Sequence, residues 1–197
     1  MATSVEAPAA RICEAALTCF AREGAARTTV RRVARDAGVS PGLVQHYFPA
    51  KAALRAAVDE HVLALARGAF SDVTPSAAGE DMVDEFGRRI ASFVRDHPDV
   101  VRYVARSSFE EGGSPALFDG FVAIARAGWE QLAREGLVRE DLDVAWSALH
   151  IVIINLGTVL FEVAIDRQLP EALRTPSGVE RWRTATTALF RSGAYRS

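Results

Sequence analysis

The sequence has few cysteines and no strand-like alternation of polar and apolar residues, and each scarcity excludes a class of protein. Its two cysteines, Cys13 and Cys19, are six residues apart in a segment with helical periodicity. At ~100° per residue their side chains differ in direction by about 120°, so they form neither a zinc site nor a redox pair. We expect both thiols to be small apolar residues, wholly or partly buried.

Segments that would carry the chain into or across a membrane are also missing. The first residues lack the basic and then apolar pattern of a signal peptide, which predicts a cytoplasmic location. The one long apolar stretch, 142–165, is interrupted by polar or bulky side chains. A helix buried between protein layers explains this stretch better than a membrane span, so we expect no membrane partner.

The motifs of common enzymes are absent as well. The sequence has no nucleophile motif, no phosphate-binding glycine loop and no metal-ligand spacing, and His61, His97 and His150 are isolated from one another. One pair of acid–base groups, His150 and Glu162, is twelve residues apart. On one helix that spacing is ~18 Å, too far for the two to act together. We therefore predict no enzymatic activity, no metal and no cofactor.

Charge is distributed unevenly along the chain. The net charge is −2, which alone argues against binding to nucleic acid. Residues 27–51, however, hold four arginines and Lys51 against a single acidic residue, a local +4, whereas residues 65–197 carry 15 basic and 19 acidic side chains. Lys51 is the only lysine of the chain. The positive field is therefore concentrated in one small region, where it can meet phosphates.

Helical periodicity runs through the whole sequence and predicts an all-α protein. We expect a block of three helices at 1–50 and a larger helical block at 51–197, with helix 51–70 connecting them. A linker is predicted at 71–79. Helices are predicted at 8–23, 29–36, 41–48, 51–70, 80–96, 98–110, 115–135, 142–167 and 177–192.

The segment from Thr28 to Lys51 has the pattern of a helix–turn–helix. Thr28 or Thr29 can cap the first helix with its hydroxyl, and Gly38 can take the positive φ that a sharp turn needs. Ser40 can cap the second helix, with Pro41 in the first position, where a missing N–H costs nothing. The second helix then presents polar side chains suited to a DNA groove.

These residues closely resemble the DNA-binding domain of the TetR family of bacterial transcriptional regulators. The resemblance covers 11–62 and is carried by the Thr-Thr-Val, Ala-Gly-Val-Ser and Tyr-Phe-x-x-Lys motifs at 28–30, 37–40 and 47–51. It implies a homodimer, with a three-helix N-terminal DNA-binding domain at 1–50 and a C-terminal effector-binding and dimerisation domain at 51–197. Two departures, Gln45 where the family usually has Tyr and Leu43 where it often has Thr, prevent any transfer of base preference.

The candidate DNA contacts divide by chemistry. As in the family, Tyr47 and Lys51 should hold phosphates, and Thr28 or Thr29 should hold a phosphate of the opposite strand at a helix start. Gln45 can pair with adenine, and His46 can donate to a guanine or a phosphate. Further contacts come from helix two and from the start of helix three: Arg31, Arg32, Ser40, Pro41 and Gly42. Since one such monomer reads few base pairs, we expect a dimer on a near-palindromic, double-stranded operator.

The pattern of the second half of the chain predicts effector binding and dimer formation. An apolar cavity with a few polar groups suits a small, largely apolar effector. We predict that it is lined by Phe93, Tyr103, Phe109, Trp129, Trp146, His150 and Asn155. The last two long helices are expected to form the dimer interface, through Gly157, Phe161, Trp182, Thr186 and Leu189.

The function that follows is a repressor released by its effector. An alternative keeps DNA binding without a small molecule, as a constitutive, partner-controlled or activating regulator. A helical enzyme is a remote third possibility. The effector's identity, the operator sequence, the regulated genes and the number of dimers on each operator do not follow from the sequence.

Overall fold

The computed structural model describes residues 7–70, 82–110 and 114–194, and these contain ten helices. In chain order the helices are α1 (Pro8–Glu23), α2 (Val30–Asp36), α3 (Pro41–Tyr47), α4 (Lys51–Phe70), α5 (Met82–Asp96), α6 (Pro98–Phe109), α7 (Pro115–Arg134), α8 (Val144–Leu160), α9 (Glu162–Asp166) and α10 (Pro176–Ala194). The all-α prediction is confirmed, and eight of the nine predicted helices agree with these bounds to within two residues. The predicted linker at 71–79 lies outside the described residues.

The prediction of one continuous helix over 142–167 is wrong. The helix breaks at Phe161, where φ is −101° and ψ is 16°. Beyond the break, Glu162 pairs with Arg174, and the Asp166 carboxylate accepts the Leu173 N–H at 2.7 Å. The partners in these contacts, Arg174 and Leu173, follow α9, so helical periodicity alone did not reveal them.

The chain divides into two compact units. The first holds Met1–Ala64 and Pro98–Leu117, and the second holds Leu65–His97 and Phe118–Ser197. In the first unit α6 packs along α1, and the Tyr103 ring stacks on Phe20 with centroids 6.1 Å apart. The core of this unit therefore includes α6, a helix that is distant in sequence from the helix–turn–helix.

Both cysteines belong to the core of the first unit, as the sequence predicts. Cys13 and Cys19 are free and buried. Burial, together with nearby Glu14 for Cys13 and the Asp36 carboxylate for Cys19, raises the pKa of each thiol to about 11. Both remain protonated at neutral pH and are poor nucleophiles.

The second unit depends on a close approach of α5 and α10. A Cβ placed on Gly87 would lie 2.5 Å from the Thr187 hydroxyl oxygen, so only glycine fits there without a shift. Asp84 pairs with Arg191 at 2.7 Å and with Arg183 at 3.3 Å. A buried cluster of α7, α8 and the segment between them completes this unit, formed by Trp129, Leu132, Val138 and Ala148.

Within the ranges that the structure describes, no helix combines the length and the apolar character needed to cross a bilayer.

Candidate nucleic-acid interface

The turn between α2 and α3 is fixed by the residues that the sequence singles out. The Thr29 hydroxyl oxygen accepts the Arg32 N–H at 3.2 Å, and the Ser40 hydroxyl oxygen accepts the Leu43 N–H at the same distance. Gly38 has a φ of +65°, a value that glycine adopts without strain. The predicted caps and the predicted turn glycine are thus confirmed.

A side chain from outside the motif also holds this turn. The Arg11 guanidinium, on α1, donates to the carbonyl of Ala37 at 2.7 Å and to that of Gly38 at 3.4 Å. It therefore satisfies carbonyls that the end of α2 leaves without a helical partner. Sequence reasoning missed this role, because no local pattern connects residues 26 positions apart.

Burial of one face of α3 determines which residues face outward. Val44 is fully buried against Val33 and Ala34 of the core, all three with accessibilities of about 1% or less. At ~100° per residue, Gly42, Gln45 and His46 point away from Val44. The exposed residues of α3 and its N-cap are Ser40, Pro41, Gly42, Gln45, His46 and Tyr47. This exposed set contains the predicted base-reading face, and its contact with DNA stays a prediction.

Tyr47 and Lys51 flank the end of α3. Tyr47 is 41% exposed, and its ring meets that of His46 edge to face, with centroids 5.4 Å apart. The exposed Lys51 ammonium donates to the Ala26 carbonyl at 2.8 Å. An ammonium has three protons, so this contact leaves two of them for a phosphate.

The two adjacent arginines of α2 are in different environments. Arg32 bonds Asp36 at 2.8 Å and pairs with Glu23 at 3.2 Å. Hydrogen bonds from Arg32 first, and then from Arg35, lower the pKa of Asp36 to about 2. Arg31 is exposed, and among the described residues no partner is seen for its side chain. As a base-reading residue Arg31 is available, whereas Arg32 is occupied within the fold.

The two threonines before α2 also differ in exposure and in hydrogen bonding. Thr28 is only 2% exposed, and its hydroxyl donates to the Gly24 carbonyl at 2.8 Å. The expectation that the Thr28 side chain holds a phosphate does not fit this burial. Thr29 is exposed and caps α2, so of the two it is the residue placed to meet a phosphate.

The predicted pocket residues do not form one group. Tyr103 and Trp129 are buried core residues, and Tyr103 donates to the Asp59 carboxylate at 2.5 Å. Phe93 is buried, and its ring contacts those of Phe70 and His97, at 5.7 and 4.9 Å. These three side chains lie in the interior of their units, and their place in a ligand cavity stays a prediction.

Three more of the predicted pocket residues lie on the surface. Phe109 is 71% exposed, Trp146 is 56% exposed and His150 is exposed beside it, with ring centroids 5.4 Å apart. In the single chain they do not line an enclosed cavity, and their contact with an effector stays a prediction. Asn155 alone keeps the character expected of a pocket group, because its Oδ1 is buried and has no hydrogen-bond partner among the described residues.

The predicted interface residues are partly or largely open to solvent in the single chain. Phe161 is 60% exposed and Leu189 is also exposed, and a Cβ placed on Gly157 would meet no atom within 4 Å. Trp182 and Thr186 are half-buried, and the indole N–H of Trp182 is buried without a partner in the described residues.

Five residues define a single surface, which we name the α8 stripe. Trp146, His150, Ile153, Gly157 and Phe161 follow one another at intervals of three or four residues and therefore share one helix face. Its three large apolar side chains are exposed. Two residues assigned from sequence to the pocket thus share a face with two assigned to the interface.

Comparison with known proteins identifies the N-terminal part. Residues 12–58 match the model of a family described as bacterial regulatory proteins, tetR family. YerO of Bacillus subtilis (strain 168), an uncharacterized HTH-type transcriptional regulator, is 27% identical over 95 residues, which are 46% of this chain and 32% of YerO. The chain thus matches about a third of the length of this curated relative.

Two solved structures share the fold across nearly the whole chain. GusR of Salmonella enterica has a TM-score of 0.71 at 21% identity, over 96% of this chain and 98% of GusR. The transcriptional regulator FadR of Bacillus subtilis, solved in complex with stearoyl-CoA, has a TM-score of 0.72 at 17% identity, over 93% of this chain and 98% of FadR. Identities this low establish a common fold alone.

Proposed function

Because this chain belongs to the TetR family of bacterial DNA-binding regulators, we propose that it is a ligand-responsive repressor that binds a palindromic operator as a homodimer. Residues 1–50 form the DNA-binding domain in this proposal, and residues 51–197 form the effector-binding and dimerisation domain. The observation that carries the proposal is the exposed polar face of α3. Hydroxyl caps at the start of α2 and of α3, and the fixed turn between the two helices, hold this face in place.

DNA recognition in this proposal divides into positioning and reading. Thr29 with the start of α2, Tyr47 and Lys51 bind phosphates, which set the register of the protein on the duplex. Gln45 and His46 on α3, with Arg31 on α2, face base edges in the major groove. The solvent exposure of all six side chains supports this division.

Homodimer formation is supported by the α8 stripe. An exposed row of Trp146, Ile153 and Phe161 is costly in water, because each buried apolar side chain of this size contributes about 1.5–3 kcal/mol. A second copy of the same face would cover the row, and Gly157 in its middle allows two helices to approach closely. Leu189 of α10 adds a further exposed apolar residue from the second predicted interface helix.

Asn155 supports the small-molecule effector. A buried carbonyl oxygen without a partner costs about 1–3 kcal/mol, and a ligand that donates a hydrogen bond relieves this cost. Half-buried apolar residues lie on both sides of Asn155 along α8, including Ile151, Ile154 and Val159. FadR binds an acyl-CoA in a protein of the same fold, which makes amphipathic acyl compounds a reasonable first class to test.

Regulation without a small molecule is a second candidate, and it has its own support. Phe93, Tyr103 and Trp129 were expected to line a cavity, yet they pack as core residues. If no ligand changes operator affinity, the protein is a constitutive or partner-controlled regulator.

Selection of DNA from a random-sequence duplex pool tests operator binding. We expect the full chain to enrich a near-palindromic sequence whose half-sites are about one helical turn apart. Failure to enrich any sequence would reject the proposal. Tyr47→Phe combined with Lys51→Ala should weaken binding of the dimer to all DNA. The slope of log K against log salt should become shallower by about 2, since one lysine–phosphate contact is lost in each protomer.

A ligand panel on the selected duplex tests the effector. Long-chain acyl-CoAs, free fatty acids and unrelated aromatic compounds are added, and operator affinity is measured by fluorescence anisotropy. We expect at least one compound to lower affinity, and Asn155→Ala to reduce that response while leaving ligand-free affinity unchanged. A flat response across the panel would favour regulation without a small molecule.

A further inference from the structure

The short connection between α1 and α2 is gripped by two side chains of opposite charge. Its Ala25 N–H donates to Oε1 of Glu110 at 3.1 Å, and its Ala26 carbonyl accepts from Lys51 at 2.8 Å. Glu110 follows the end of α6, whereas Lys51 begins α4. Two adjacent residues of backbone are thus fixed from two distant parts of the first unit.

Glu110 lies directly against this backbone. Gly24 has a φ of +86°, and a Cβ placed on it would lie 2.5 Å from Oε1 of Glu110. The other carboxylate oxygen is 3.9 Å from the Arg55 guanidinium, on α4. Both side chains are less than a quarter exposed, so this carboxylate has little water with which to replace its protein partners.

The helix that directly precedes Glu110, α6, is itself anchored along its length. Thr18 of α1 donates to Asp99 at the start of α6 at 2.9 Å. Tyr103, in the middle of α6, donates to Asp59 of α4, and Arg106 donates to the Arg22 carbonyl at 3.2 Å. Glu110 therefore projects from a fixed base, which is what a positioning residue requires.

We propose that Glu110 is a positioning residue for operator recognition, which acts on the DNA-contacting surface through its hydrogen bond to the Ala25 N–H. The proposal rests on the DNA-binding function proposed above. It assigns a role in reading DNA to a residue outside the helix–turn–helix that touches no base or phosphate.

The reason lies in the path of the chain after Ala25. Four residues further on, Thr29 caps α2, and Arg31 follows in the first turn. A shift of the connection moves these two residues, and also the Ala26 carbonyl that orients Lys51. Because base reading depends on placement to within a fraction of an ångström while phosphate attraction does not, the loss falls mainly on specific binding.

Two variants at one position isolate the hydrogen bond from the charge. Glu110→Ala and Glu110→Gln remove the same negative charge, but only glutamine keeps a carbonyl oxygen that can accept the Ala25 N–H. Affinities are measured for the duplex selected by the wild-type chain and for a scrambled duplex of equal length. Glu130→Ala, which removes an exposed glutamate paired with Arg126 on α7, is the control for losing a carboxylate elsewhere.

We expect Glu110→Ala to lower affinity for the selected duplex about tenfold and for the scrambled duplex less than twofold. Glu110→Gln should stay within threefold of the wild type on both, and hydrogen exchange in 24–37 should be faster in the alanine variant than in the glutamine variant. The proposal is overturned if the alanine variant binds the selected duplex as well as the wild type does. It is equally overturned if glutamine fails as alanine does, or if both duplexes lose affinity alike. A wild-type chain that selects no DNA would instead reject the proposed function before any variant is made.

Discussion

The α2–α3 surface, formed by Thr29, Arg31, Gln45, His46 and Tyr47, and the α8 stripe are both exposed. They differ in whether the polar and apolar groups around them have partners within the described residues. Each helix of the first pair begins at a hydroxyl cap, and the turn between them is held by Arg11. The α8 stripe exposes large apolar side chains, and its helix carries a buried Asn155 oxygen without a partner in the described residues. The α2–α3 surface has a backbone fixed by hydrogen bonds and presents polar groups, which suits DNA. The α8 stripe presents apolar side chains to water, which suits burial against another protein surface or a ligand.

The largest expected effect comes from placing a charge in the α8 stripe. Ile153→Glu should produce monomers, because a carboxylate at the centre of an apolar interface loses its hydration without gaining a partner. Operator affinity should then fall by about 100-fold or more, since two linked half-sites become two independent ones. Light scattering gives the mass and anisotropy gives the affinity.

Ala123→Glu on the exposed face of α7 is the matched control for that change, and it should remain dimeric with unchanged affinity. If Ile153→Glu is also dimeric and binds normally, the α8 stripe is not the interface, and the contrast between the two surfaces would need another explanation.

The next effect concerns base reading by α3. Gln45→Ala should lower affinity for the selected duplex by about 1–3 kcal/mol, because one bidentate contact to a base is lost. Affinity for the scrambled duplex should change little. Competition binding with both duplexes measures the difference, and Gln168→Ala, an exposed glutamine outside the helix–turn–helix, is the control. Equal losses on both duplexes would assign Gln45 to phosphate contact.

Alanine substitutions of the two adjacent arginines of α2 should have different effects, one on DNA binding and the other on stability. Arg31→Ala should weaken operator binding with an unchanged melting temperature, since this exposed side chain has no partner among the residues that the structure describes. Arg32→Ala should lower the melting temperature slightly, because its ion pairs with Asp36 and Glu23 are partly exposed and screened by water. Thermal unfolding and anisotropy of both variants test this, and reversed outcomes would exchange their roles.

The smallest expected effect is a pH dependence from Asp36. Its pKa lies at about 2, below the ordinary 3.8, so the folded state favours the carboxylate. The stabilisation is therefore complete above pH 4 and is lost as the pH falls toward 2. The difference in melting temperature between the wild type and Asp36→Asn should shrink over that interval. A constant difference would show that the Arg32 and Arg35 pairs contribute no pH-dependent stability.

Sequence predicted the helix–turn–helix because its determinants are local. The hydroxyl caps and the Gly38 turn each follow from a few neighbouring residues. The family resemblance covered the same segment. The resemblance did not predict which of two similar side chains is exposed, as with Thr28 and Thr29, since exposure depends on packing against the rest of the unit.

The second unit was predicted less well because its residues are defined by distant neighbours. Trp129 and Trp146 look alike in an apolar helical pattern, yet one is buried in a cluster and the other is exposed. After the break at Phe161, the side chains of Glu162 and Asp166 bond to Arg174 and Leu173, which lie beyond the helix itself. Periodicity records how apolar a face is but not what covers it.

Lys51 gives the protein a chemical reporter at its proposed DNA surface. It is the only lysine in the sequence, and its ammonium is exposed beside the Ala26 carbonyl. An amine-selective acylating reagent therefore has one side-chain target in the chain. We expect bound operator to protect that amine and an effector that releases DNA to restore its reactivity, so that a single labelling yield reports occupancy without any engineered probe.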